Sequence, residues 1–104
     1  MKEKKLSDFF TIYRKNGMEI TLNTLAEFEN HECTESEFFD KLKSSGSYLN
    51  EYYRSKDTML HYGLISYKLN ENYDKVIFLT EAGDEVQELV ERINTILKEN
   101  VKKE

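Results

Sequence analysis

Residues 59–83 read MLHYGLISYKLNENYDKVIFLTEAG, and no other stretch of the chain narrows the fold as far. Leu49, Tyr52, Tyr53, Met59 and Leu60 recur at near-helical spacing up to Gly63, a residue able to close a helix in a left-handed turn. Lys56 interrupts that stripe as a cation whose aliphatic stem can lie along apolar surface. LISYKL then alternates as a strand does, KVIFLT is β-prone and apolar, and NENYD between them holds residues that turns favour. Leu64, Ile65, Val76 and Phe78 are expected to fold this hairpin over a core. Thr80 is placed to cap a final helix whose first turn, with Glu81, Asp84 and Glu85, is acidic as the helix dipole prefers. A helix end, a hairpin and a helix start must therefore follow one another almost without linkers.

Upstream, Leu6, Phe9, Phe10 and Tyr13 predict an N-terminal helix stopped at KNG, with Gly17 as its C-cap. Ile20, Leu22, Leu25 and Phe28 predict a second helix capped by Thr21 or Asn23, and NHECT breaks the pattern. Thr34 with Glu37 forms a capping-box signature for a third helix, whose inward face is Phe38, Phe39 and Leu42. SSGS is a short turn in which Gly46 can take a positive φ and Ser47 can cap the fourth helix, running from Tyr48 to about Tyr62. Tyr52 and Tyr53 are expected in the core.

With 104 residues, no proline and no low-complexity tract or repeat, the chain is expected to form one domain. We divide it into an N-terminal helix (1–17), a core (18–79) and a C-terminal helix (80–104). The expected class is α+β, mainly α. No apolar run reaches the ~18 residues of a membrane span, and the basic start MKEKKLSDFF lacks a signal-peptide apolar core, so a cytoplasmic protein is expected. Cys33, His31 and His61 make no four-ligand zinc set, and Cys33 reads as a small core residue. There is no phosphate loop and no Ser-His-Asp arrangement, so neither an enzyme nor a cofactor or metal is expected.

The net charge of −5 counts against nucleic acid, but the charges are segregated. From Glu19 to Asp40 every charged side chain is acidic; from Lys41 to Lys56 four cations face Glu51 alone.

Helix, short turn, helix ending in MLHYGLI, hairpin, and then LTEAG opening a helix: this order resembles the winged helix-turn-helix transcriptional regulators of the MarR and PadR type and small archaeal winged-helix proteins. There L-x-x-x-G-L-I ends the recognition helix and L-T-x-x-G follows the wing. Here Met59 stands at the Leu position, Gly63-Leu64-Ile65 match, and Leu79-Thr80 with Gly83 match the second motif. CTESEFFDKLK resembles the helix before the turn, and the likeness spans about residues 18–97.

The resemblance implies a winged helix-turn-helix with a two-stranded wing, an extra N-terminal helix and a long C-terminal dimerisation helix. It implies a DNA-binding transcriptional regulator that grips double-stranded DNA as a homodimer through recognition helix 47–62 and wing 64–79. The DNA-contact candidates are Lys43, Ser45, Ser47, Tyr48, Asn50, Glu51, Arg54 and Lys56, with Lys68, Asn72 and Lys75 from the wing. By chemistry Asn50 suits adenine and Arg54 suits guanine or phosphate. In the last helix, Val86, Ile93 and Asn100 fall at one heptad position and Leu89 and Ile96 at another. The dimer candidates are Leu6, Phe10, Leu89, Ile93, Ile96 and Leu97. The wing tip lacks the Arg or Lys that often enters a minor groove, and with the acidic total this supports an alternative, a winged-helix protein–protein interaction module without DNA binding. No small-molecule effector follows from these residues.

Overall fold

Several element boundaries have a local chemical cause. The computed structural model describes residues 7–13, 16–46 and 49–102. Its elements are α1 (Asp8–Tyr13), α2 (Asn16–Ala26), a 3-10 turn (Glu29–His31), β1 (Glu32–Thr34), α3 (Glu35–Ser44), α4 (Leu49–His61), β2 (Ile65–Leu69), β3 (Lys75–Leu79) and α5 (Glu81–Glu99). The protein is α+β and mainly helical, with one antiparallel sheet.

Helix α3 opens on the expected capping box. The Thr34 hydroxyl accepts from the Glu37 N–H at 3.1 Å, and the Glu37 carboxylate accepts from the Thr34 N–H at 2.9 Å. Gly46 follows its end at φ +83°. Helix α4 closes through Gly63 at φ +70°, with the Leu64 N–H reaching the Met59 carbonyl at 2.9 Å and the Gly63 N–H reaching Leu60 at 3.1 Å. These are the paired bonds that cap a helix through a left-handed glycine. Thr80 caps α5 by accepting from the Gly83 N–H at 3.0 Å.

The expected hairpin forms as β2 and β3, and the sheet gains a third strand that was not expected, β1, in the order β1-β3-β2. Glu32, Cys33 and Thr34 pair with Phe78, Ile77 and Val76, and Ile65 to Leu69 pair with Leu79 to Lys75. Alternation puts Ile65, Tyr67, Ile77 and Leu79 on the face toward the helices. Val76 and Phe78 therefore point to the opposite face, contrary to expectation; Val76 is buried yet stands outside the core cluster, where Ile77 and Leu79 take its place.

The core gathers Met18, Leu22 and Leu25 of α2, Phe38 and Leu42 of α3, Tyr52 and Met59 of α4, and the inner sheet face. Gly17 is not a C-cap. It lies inside α2, buried where α2 crosses α4, and a Cβ there would come within 1.9 Å of the Glu51 carbonyl oxygen and 2.4 Å of the Ser55 hydroxyl. Thr21 and Asn23 likewise lie within α2 rather than capping it; Thr21 is fully buried, and Asn23 accepts from the Gln87 amide at 3.2 Å.

Val86, Gln87 and Val90 join α5 to the domain, and beyond them residues 91–102 are all exposed. The radius of gyration is 15.4 Å, against about 13 Å for a compact chain of this length; the outer half of α5 contributes to that excess. Among the described residues no helix is long and apolar enough to cross a membrane.

The two glycines at the ends of this frame make a contrasting pair. Gly17→Ala forces two helices apart and is expected to cost about 3 kcal/mol, at the upper end of overpacking effects. Gly63→Ala meets open space and is expected to cost only the left-handed penalty of about 1 kcal/mol. Urea denaturation of both variants checks this, and equal losses would contradict the close α2–α4 crossing.

Candidate nucleic-acid interface

The two sides of α4 differ because its sequence is amphipathic. Tyr52, Ser55 and Met59 are each at most 1% exposed, while Asn50, Tyr53, Arg54 and Asp57 face outward. Ser55 lets α2 approach and satisfies its own hydroxyl by donating to the Glu51 carbonyl at 3.0 Å. Behind the helix, Tyr52 packs edge-on against Phe38 and Phe39, with ring centroids 5.0 and 5.9 Å away. That packing stiffens the element carrying the outward residues.

Tyr53 was expected in the core and is instead 53% exposed, leaning on Phe39 beside Arg54. The ragged stripe hid this, since adjacent tyrosines cannot share one helix face. Tyr53 is thus the outward tyrosine of α4.

Tyr67, on β2, joins the hairpin to α4. Its hydroxyl shares a hydrogen bond with Tyr52, and burial pushes both phenols above the usual tyrosine range, so the bond joins two neutral hydroxyls. Lys75 lies over its ring at 4.3 Å from the centroid and Lys56 at 5.7 Å. The structure thus brings Lys56 and Lys75 together from distant positions in the chain. It separates Lys68 from them: by alternation Lys68 lies on the other sheet face, over the Phe78 ring at 5.1 Å.

Three of the expected cations are held by carboxylates. Arg54 meets Glu51 at 3.5 Å, Lys68 meets Glu32 at 2.8 Å and Lys75 meets Glu35 at 3.5 Å. Lys43 is exposed and has no ion-pair partner among the described residues. Ser45 is occupied at the end of α3, donating to the carbonyls of Lys41 and Leu42 at 3.1 and 3.0 Å. Asn72 is exposed at the hairpin tip, where its N–H is bonded to the Asn70 side chain at 2.9 Å. Ser47 and Tyr48, at the start of the expected recognition helix, lie outside the described residues, as does Leu6.

Of the dimer candidates, Phe10, Leu89, Ile93, Ile96 and Leu97 are 45–61% exposed, and Val101, past the end of α5, is exposed as well. No group of three or more His, Cys, Asp or Glu side chains among the described residues converges as a metal site. His31 instead pairs with Asp84 in the first turn of α5. Comparison with family models, curated proteins and solved structures finds no match to this chain.

Cys33, on β1 beside β3, is buried in the core, and desolvation, aided by Glu37 and Glu32, pushes its thiol up to about 12 from an ordinary 9.0. The thiolate is the reactive form, so alkylation by iodoacetamide at pH 8 is expected to be negligible in the folded protein and complete in urea. The neutral thiol supports folding below pH 9 and loses that contribution as pH rises from 9 toward 12. Rapid labelling of the native protein at pH 8 would contradict this environment.

Proposed function

We propose that this chain is a winged helix-turn-helix DNA-binding regulator. In this reading α4 is the recognition helix, β2 and β3 form the wing, and the active species is a homodimer. The observation that carries it is the arrangement around α4. The order α2, β1, α3, turn, α4, β2, β3 leaves one side of α4 bare, with Asn50, Tyr53 and Arg54 outward. A duplex major groove admits one such helix, and its base edges suit an amide and a guanidinium.

The dimer part of the reading is supported by α5. Its outer stripe of Leu89, Ile93, Ile96 and Leu97 is 45–61% exposed, and apolar stripes at heptad spacing favour helix pairing. A two-fold dimer would set its recognition helices roughly 34 Å apart, one turn of DNA.

A protein–protein interaction module is the second reading. It is favoured by the carboxylate partners of Arg54, Lys68 and Lys75 and by the net charge of −5. It predicts no salt-dependent association with a duplex.

Fluorescence anisotropy of a labelled duplex across a salt series separates the two. Binding should weaken linearly in log salt. Arg54→Ala and Asn50→Ala, tested on a selected operator, should each lose about 1–3 kcal/mol with relaxed specificity at one base pair. If neither variant changes operator affinity, α4 is not the reading element. Sedimentation velocity at micromolar concentration should give a dimer, and a monomer there would remove that part of the reading.

A further inference from the structure

Both wing lysines named as DNA-contact candidates, on opposite faces of the sheet, and the one arginine of α4 are matched to carboxylates. The partners come from separate parts of the chain: Glu32 from β1 for Lys68, Glu35 from the first turn of α3 for Lys75, and Glu51 from α4 for Arg54. We propose that Glu32, Glu35 and Glu51 are specificity-determining residues that hold the phosphate-contact cations in exchangeable ion pairs and so suppress binding to arbitrary DNA. The proposal rests on the DNA-binding reading given above.

The geometry suits exchange rather than permanent neutralisation. The cationic side chains remain 74% exposed at Arg54, 49% at Lys68 and 47% at Lys75, with contact distances of 2.8–3.5 Å. Partly exposed pairs of this kind are weak and screened by salt. A phosphodiester presents anionic oxygens that can take the carboxylate's place. The carboxylate it displaces stays beside the DNA backbone and repels it.

Phosphate contacts supply most of the affinity for random sequence. Where each contact must first displace a carboxylate, that part of the affinity is cut. Base contacts, which carry the sequence information, then decide whether a complex forms. This is discrimination through a repulsive element as well as an attractive one. Lys43 has no partner of this kind among the described residues, and Lys56 rests on the Tyr67 ring, so the pairing is selective among the candidate cations.

The test compares two isosteric triple variants with the wild type on a labelled random duplex across a salt series. Glu32→Gln/Glu35→Gln/Glu51→Gln removes the three partners. Glu88→Gln/Glu91→Gln/Glu99→Gln makes the same change in net charge on the exposed surface of α5. Thermal melts check that both variants fold, and the single variant Glu35→Gln serves if the first triple does not.

The first triple should bind random duplex about tenfold or more tighter, with a steeper salt dependence by up to about three contacts' worth. For Glu35→Gln alone the expected gain is about threefold. The α5 triple should change affinity by less than about threefold with its salt slope unaltered. Adding Arg54→Ala, Lys68→Ala and Lys75→Ala to the first triple should abolish its gain.

Equal tightening in both triples would overturn the proposal in favour of long-range charge. So would an unchanged first triple in a protein whose wild type binds DNA, and there the DNA-binding reading would stand. Absence of binding by the wild type and both triples at low salt would overturn both.

Discussion

Two consecutive residues, Gly63 and Leu64, fix where three elements stand. Gly63 takes a left-handed turn, and Leu64 reaches back to the Met59 carbonyl, ending α4. The Leu64 carbonyl then accepts from the Thr80 N–H at 3.1 Å, tying the two open ends of the hairpin together, while the Thr80 hydroxyl donates to the Gly63 carbonyl. Gly83 lies so close above that a Cβ on it would come within 2.0 Å of the same Leu64 oxygen. The end of α4, both ends of the hairpin and the start of α5 thus meet within a few backbone groups. Leu64 and Gly83 are buried at this junction, and buried backbone groups that lose their partners are costly, which ties these elements together. The direction of α5, and with it any dimer geometry, is inherited from this point.

A second junction sets the hairpin against α4. Tyr52 and Tyr67 join their hydroxyls in a half-buried setting, with Phe38 and Phe39 behind Tyr52 and two lysines resting on the Tyr67 ring. The helix face and the hairpin are therefore presented as one surface. On that surface charge is nearly balanced rather than basic. The contrast with an ordinary basic DNA-binding patch lies less in how many cations there are than in how many are already engaged.

Local signals in the sequence were legible wherever the chemistry was local. Thr34 with Glu37, Thr80 with Gly83, and the positive φ of Gly46 and Gly63 all follow from groups three or four residues apart or from one missing Cβ. Strand β1 was not legible: it has three residues, its last one doubles as the cap of α3, and its partner β3 lies some forty residues on. Gly17 was misread because a glycine after a basic stretch resembles a helix end, whereas its reason is a crossing with Ser55 on a distant helix. The carboxylate partners of Lys68 and Lys75 were hidden for the same reason, since register and sheet face had to be known first. The outer stripe of α5 was legible as a pattern, and its residues Leu89, Ile93, Ile96 and Leu97 are exposed.

The central claim is that the outward side of α4, with the hairpin beside it, is the surface that meets a duplex. The most direct measurement is a backbone amide chemical-shift titration of the protein with a short duplex at low salt. The account predicts that the largest changes cluster at Asn50, Tyr53, Arg54 and Asp57 and along the hairpin, with the outer half of α5 undisturbed. Changes confined to α5, or none at all at low salt, would contradict it.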